Sequence, residues 1–251
     1  MNLLLVDARE VAADGVVAID GRRAEHLRAV LGAGPGDRVK AGIAGGGIGT
    51  AEVLADDGAR VTLRLAIAGP APAPLPIELV LAVPRPKVLT RVIEAAAAFG
   101  VARVTLTNAW RVDKSYLRSP RTDAAALAEA ARLGAEQGAH THLPPIELHE
   151  RLMPLLDARW PAGDARGADD GATKLIAHPG APPIELHARG GPTVLAIGPE
   201  GGWIAREVET FAARGFAPVS LGTAILRVET AVAAALGQLV LLARRYGETA
   251  S

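Results

Sequence analysis

Residues 77–251 predict a parallel α/β domain, and residues 1–70 predict a small, mostly β barrel-like domain ahead of it. Three observations lead there. Up to about residue 68, short β-type runs are separated by turn signals; residues 69–76 carry alternate prolines; after them, short apolar runs alternate with stretches of helical period.

In the first part, strands are expected at 2–6, 16–19, 38–41, 49–54 and 60–66, and only 23–31 has a helical pattern. Gly45-Gly-Gly-Ile-Gly49 lacks the G-x-G-x-x-G spacing and precedes a strand rather than a helix, so it reads as a hairpin turn. Residues 71–76 read as a proline-rich linker, because alternate prolines favour an extended chain and do not fit inside a sheet or helix. The domain boundary is placed there.

Beyond it, strands are expected at 77–82, 103–107, 174–177, 193–197 and 219–221. Helices are expected at 86–99, 122–138, 204–214 and 229–245. The first of these helices puts Val88, Leu89, Val92, Ile93 and Ala96 on one face, with Arg91 and Glu94 off it. The last carries Val228, Val232, Ala235, Leu236, Leu239 and Val240 along a core stripe, and its further alanines form a second small apolar face of the kind found where protomers meet. Residues 157–172, rich in Gly, Asp and Ala, read as an exposed loop.

Composition removes whole classes. With 49% hydrophobic and 22% charged residues, the chain falls among globular proteins. It has neither an apolar run of membrane-spanning length nor a secretion-signal pattern at the N-terminus, so a cytoplasmic protein without a membrane partner is expected. Zero cysteines exclude disulfides and thiolate chemistry. His140, His142 and His149 lack the companion ligands of a metal site, so no metal is expected. Hydrolase elbows and phosphate loops of the Walker type are missing too.

Net charge is zero, so a nucleic-acid partner needs a local patch. One candidate runs through Arg85, Lys87, Arg91, Arg103, Arg111, Lys114, Arg118 and Arg121, opposed only by Glu94 and Asp113. The stretch has two readings, a solvated charged face or a track for the phosphate backbone, and Trp110 and Tyr116 among the cations add base stacking to the second. In the first seventy residues charge is balanced, so an RNA contact there rests on particular residues: Arg22, Arg23, His26 and Arg28.

Two glycine-punctuated turns carry the chemistry. Val194-Leu-Ala-Ile-Gly-Pro-Glu-Gly-Gly-Trp203 reads as buried strand, tight loop and helix start, and Leu221-Gly-Thr-Ala-Ile-Leu-Arg-Val-Glu-Thr-Ala231 repeats the arrangement. Such loops lie at the carboxyl ends of strands, where open α/β sheets bind ligands, and glycine lets a ligand approach the backbone. Glu229 or Thr230 could cap the last helix and Arg227 could pair with a carboxylate. Glu200, set between glycines, is poorly placed for packing and well placed to meet a ligand.

At these residues the sequence resembles the RsmE family of SPOUT-superfamily methyltransferases, which modify N3 of a uridine in 16S ribosomal RNA. The paired motifs Ile197-Gly-Pro-Glu-Gly-Gly202 and Leu221-Gly-x-x-Ile-Leu-Arg-x-Glu-Thr-Ala231 carry the resemblance. Glu25-His-Leu-Arg-x-Val-Leu31 with Gly36-Asp37 is similar to the family's PUA-like N-terminal domain, and Glu136-Gln137 with Pro144 to a mid-chain segment. The resemblance implies a C-terminal deep trefoil knot, a homodimer, and S-adenosylmethionine as cofactor. It places that cofactor against Leu195, Ile197, Gly198, Pro199, Glu200, Gly201 and Gly202, against Leu221, Gly222, Ile225, Leu226 and Thr230, and against Ala177 and His178. RNA is expected at Arg22, Arg23, His26, Arg28, Arg85, Lys87, Arg111 and Lys114. Three segments depart from the family: Ala95-Ala-Ala-Ala-Phe-Gly100 where Lys-x-x-Glu-Leu-Gly is usual, Trp110-Arg-Val-Asp-Lys-Ser115 where Glu-Arg-Ser is common, and Gly138-Ala139-His140 in place of an arginine. All three are expected to contact RNA.

Catalytic roles are expected of Glu200 or Glu229, taking the N3 proton or orienting the base, and of Arg227, stabilising negative charge. The rival readings are a SPOUT methyltransferase acting on another ribosomal or transfer RNA nucleotide, and a non-catalytic RNA-binding assembly factor on the same fold.

Overall fold

A computed structural model describes residues 2–163, 171–188 and 190–247, which form two compact units. Residues 2–74 with Ala97–Gly100 and Ala131–Leu143 make the first; Leu75–Ala96, Val101–Ala130 and the residues from 144 onward make the second.

The first unit contains β1 (Leu4–Val6), β2 (Val16–Ile19), α1 (Gly21–Ala29), β3 (Arg38–Ile43), β4 (Ile48–Asp56) and β5 (Val61–Ile67). The strands form one curled, barrel-like sheet in the order β1-β3-β4-β5-β2, antiparallel except for β1 with β3. Alternate positions such as Val17 and Ile19, or Val61 and Leu63, point into a core shared with Leu27 of α1. Residues 44–47 make the expected hairpin turn. Its glycines also serve packing: a Cβ on Gly47 would lie 2.0 Å from the carbonyl oxygen of Gly69.

Strand β1 begins at Leu4 instead of the expected residue 2, because the N–H groups of Asn2 and Leu3 donate to the carbonyl of Glu136 at 2.9 and 3.0 Å. Helix α1 ends two residues earlier than expected and leaves Val30 and Leu31 exposed. Ion pairing ties the unit together: Arg22 to Glu136 at 2.9 Å, Arg23 to Glu10 at 2.6 Å and Arg132 to Asp7 at 2.8 Å.

The second unit runs β6 (Leu75–Ala82), α2 (Pro86–Phe99), β7 (Val101–Thr107), α3 (Ala124–Gly138), β8 (Ile146–His149), α4 (Leu152–Arg159), β9 (Thr173–Ala177), β10 (Thr193–Ile197), α5 (Ala205–Ala212), β11 (Ala217–Val219) and α6 (Val228–Gly247), with the last turns of α2 and α3 belonging to the first unit. Six strands pair in the order β11-β9-β10-β6-β7-β8, every neighbour parallel. The expected α/β sheet is present. Leu89, Val92, Ile93 and Ala96 are fully buried, as the period of α2 requires.

Four local expectations change. Pro76, read as linker, lies inside β6; it falls before the pairing with β10 starts at Ile77 and within the register shift against β7, where no ladder N–H is demanded. Strand β8 follows Pro144-Pro145 and has no counterpart in the expected strands. Helix α4 takes residues 157–159 out of the expected loop, with Pro154 in its first turn, where a missing N–H costs nothing; residues 164–170 of that loop lie outside the described residues. The two alanine-rich and glycine-containing departures are packing features: Ala96 and Ala97 are fully buried, and a Cβ on Gly138 would meet the Ala98 carbonyl oxygen at 2.1 Å. Small side chains at these positions are what let α2 and α3 touch. Among the described residues no helix is long and apolar enough to cross a membrane.

Candidate active site

Because all six strands run the same way, β6, β9, β10 and β11 deliver their following loops to one edge of the sheet, the edge at which α/β folds bind ligands. After β10, the chain turns through Gly198-Pro199-Glu200-Gly201-Gly202, closed by the Gly202 N–H donating to the Pro199 carbonyl at 2.7 Å. Gly202 has φ +69°, a left-handed conformation that a side chain strains.

Glu200, Gly201 and the residues that follow tie this turn to other parts of the sheet's edge. Glu200 accepts the backbone N–H of Arg85, from the loop after β6, at 2.9 Å. The Arg111 guanidinium donates to the Gly201 carbonyl, and its stem lies so close that a Cβ on Gly201 would stand 2.9 Å from Arg111 Cδ. Trp203, 4% exposed, anchors the turn in an aromatic chain: its ring is 5.1 Å from Phe211, which is 4.9 Å from Phe216, itself 5.3 Å from Trp160. Glu207 completes the frame, accepting the N–H of Ile204 at 2.9 Å with one oxygen and that of Trp110 at 2.8 Å with the other.

The loops after β9 and β11 are laced together. The N–H of His178 donates to Val219 at 2.9 Å, that of Ser220 to Pro182 at 2.8 Å and that of Ile184 to Ser220 at 3.2 Å. Gln238 of α6 reaches back to the Leu221 carbonyl at 3.0 Å.

Between these loops lies a cleft of about 660 Å³, within the range of small-molecule sites. Ala177, His178, Ile197 through Gly202, Leu221, Gly222, Ile225, Leu226, Arg227 and Glu229 all line it. Two expected cofactor contacts do not. Leu195 is wholly buried one strand repeat below Ile197, and Thr230 is exposed while Val228, Glu229 and Ala231 of the same turn face the cleft. Sequence reasoning missed Val88 and Val228, both counted as core, Ala231, and Trp203, which stood beside the glycine turn as an unused signal. Arg85 and Arg111, assigned to RNA, also line the cleft.

The expected RNA contacts divide. In the first unit Arg23 is bound to Glu10 and Arg28 to Asp56, while Arg22 meets Glu136. The Arg23 guanidinium holds the Glu10 carboxyl down at about 2. His26 is half-buried with Nε2 unpartnered among the described residues. In the second unit Arg85, Lys87, Arg111 and Lys114 are all exposed.

The residues present suit a cofactor with an adenosine and an amino-acid end. The turns offer backbone groups freed by glycine, Ile225 and Leu226 offer apolar walls, and the Trp203 Nε1 is a buried donor without a partner among the described residues. The Arg227 and Glu229 side chains likewise have no hydrogen-bond or ion-pair partner among the described residues.

Comparison with known proteins places this geometry. The model of the RNA methyltransferase domain family matches residues 71–240. The chain is 30% identical to the ribosomal RNA small subunit methyltransferase E of Treponema pallidum over 241 residues, covering 94% of this chain and 89% of that one. It is 26% identical to ribosomal RNA small subunit methyltransferase E 1 of Borreliella burgdorferi over 235 residues, covering 94% and 95%. Its fold matches that of the ribosomal RNA small subunit methyltransferase E of Neisseria gonorrhoeae, solved bound to S-adenosyl methionine, with TM-score 0.74 and 23% identity, over 96% of this chain and 98% of that one. With a six-stranded parallel sheet, two glycine turns around one cleft and a family match across most of its length, the chain belongs to the RNA methyltransferase family, in the RsmE branch.

Proposed function

We propose that this protein transfers the methyl group of S-adenosylmethionine to N3 of a uridine in 16S ribosomal RNA of the small ribosomal subunit, working as a cytoplasmic homodimer. The observation that carries the proposal is the single cleft formed by Ala177-His178, the turn at 198–202 and the loop at 221–227, in a family whose Neisseria gonorrhoeae member was solved with this cofactor. The laced loops after β9 and β11 support the finer expectation of a trefoil knot there. The apolar second face of α6, with Leu241 59% exposed, supports the dimer; sedimentation at twice the 25.8 kDa chain mass tests it, and a monomer mass removes it.

When bound, S-adenosylmethionine supplies a methyl group on a positively charged sulfur, ready for in-line attack. The chain's part is to present the nucleophile. Uridine N3 carries a proton and is weakly nucleophilic until it loses it, so an acceptor must stand nearby. Glu229 fits that role better than Glu200, because one Glu200 oxygen is engaged by the Arg85 N–H whereas Glu229 lines the cleft unpaired among the described residues. Arg227 stands two residues before Glu229, and its cation offsets the charge that grows on the uracil carbonyl oxygens as N3 gives up its proton. Base pairing hides N3, so the target uridine is taken unpaired or flipped out.

Calorimetric titration with S-adenosylmethionine, followed by assay of Arg227→Ala, tests the reading. The wild type should bind the cofactor, and the variant should bind it within a few-fold yet lose methyl transfer. No heat of binding to the wild type would leave the assembly-factor reading in its place; unchanged turnover in the variant would remove Arg227 from the chemistry.

A further inference from the structure

We propose that Trp110 is a base-stacking platform at the rim of the cleft, on which a nucleobase of single-stranded RNA lies while the neighbouring uridine enters. The inference rests on the proposed RNA substrate and adds the residue that grips the base. Of the three tryptophans, Trp160 and Trp203 are 3% and 4% exposed, as ordinary core residues are, whereas Trp110 is 79% exposed. Ile225, at 88%, is more exposed still, but only Trp110 sets an open aromatic face among cations, the combination on which bases stack.

The backbone beneath the ring is held firmly. The Trp110 N–H donates to Glu207 at 2.8 Å, the Ala109 N–H to the Asn108 side chain at 2.9 Å, and the Val112 N–H to the Ala109 carbonyl at 3.1 Å, with Val112 buried as an anchor. Glu207 also ties down Ile204 behind the glycine turn, and Arg111, the next residue, reaches the Gly201 carbonyl. The platform is thus locked to the wall of the cleft by two independent links. A backbone fixed in this way sets where on the wall the indole stands, which lowers the ordering cost of stacking a base on it.

Charge selects the occupant. Arg111, Lys114, Arg118 and Arg121 surround the ring in sequence and are exposed, Arg85 and Lys87 are exposed beside the turn, and Asp113 is the one acidic residue between Ala109 and Thr122. The Asp113 carboxylate accepts the Ser115 N–H at 2.9 Å, so it is occupied locally. Cations around an exposed indole match a polyanion carrying flat bases, and single-stranded RNA combines both features. A second copy presenting this same face would meet like charge there.

Since the other two tryptophans are buried, emission quenched by iodide reports on Trp110. A short oligouridylate should quench that emission and protect it from iodide, while heparin, which has charge without bases, should leave the emission itself little changed. Trp110→Leu should weaken oligouridylate binding about tenfold or more, Trp110→Phe should hold it within a few-fold, and both should bind S-adenosylmethionine like the wild type. On ribosomal subunits the Leu variant should raise KM with kcat little changed. Equal affinity of the Leu variant and the wild type, or of the Leu and Phe variants, overturns the platform, as does an indole shielded from iodide before RNA is added, which would mean that another copy covers it. Oligonucleotide binding is read without any methyl transfer, so failure of the methyltransferase reading shows separately, as a wild type that binds the oligonucleotide and transfers nothing.

Discussion

At the scale of single residues, the glycine turn was legible because its residues have few structural uses. A carboxylate between glycines after a buried strand suggested a ligand, and the structure sets Glu200 at the cleft; it adds the bond from the Arg85 N–H, which no local pattern announces because the two residues are far apart in the chain. Glu207 and Trp203 escaped notice for the same reason. Their partners, Trp110 for the first and Phe211 for the second, become neighbours only when the sheet and α5 are assembled. The division between the two carboxylates leads to an expected difference. Glu229→Gln should lower kcat strongly and leave cofactor affinity nearly unchanged, with activity recovering as pH rises and N3 ionises unaided. Glu200→Ala, which removes the acceptor of the Arg85 N–H, should instead weaken cofactor binding by loosening the turn, without alkaline recovery. Matching pH profiles for the two variants would contradict the assignment.

At the scale of elements, hydrophobic patterning found most strands and helices, since β6, β7, β9 and β10 are short and mostly apolar and α2 and α6 are long. Strand β8 and helix α4 were too short and too close to prolines to give a period. The meaning of Gly138 was also hidden, because only the fold shows Ala98 across from it. Helix propensity alone favours alanine over glycine by up to about 1 kcal/mol. The Ala98 carbonyl oxygen, 2.1 Å from the added Cβ, reverses that preference. Gly138→Ala is expected to destabilise by about 1–3 kcal/mol, a drop in melting temperature of several degrees at least; a rise on calorimetry would mean that the helices part freely.

Acid sensitivity belongs at this scale too. The folded Glu10 carboxyl sits at about 2, below its ordinary 4.5, chiefly because Arg23 bonds to it. A depressed carboxyl stabilises the fold above its unfolded value, and that contribution is lost as pH falls from 4.5 toward 2. Thermal melts of Glu10→Gln should therefore be less stable than wild type near neutrality and approach it toward pH 2. A constant gap at every pH would show that packing, not charge, explains the loss.

For the molecule as a whole, the cleft, the exposed cations of the second unit and the RNA methyltransferase family match all support the proposed activity, methylation of small-subunit ribosomal RNA. The sequence pointed to the class of fold because alternation of elements and the paired motifs span much of the chain. It said less about RNA contacts: a cation reads the same in sequence whether it faces solvent, as Lys114 does, or a carboxylate, as Arg23 and Arg28 do. Tertiary pairing alone separates them. The most direct test of the central claim is nucleoside mass spectrometry of 16S RNA after incubating small ribosomal subunits, prepared from a strain lacking this gene, with the purified protein and S-adenosylmethionine. N3-methyluridine should appear at one site only with both components present; its failure to appear, or a different methylated nucleoside, would contradict the account.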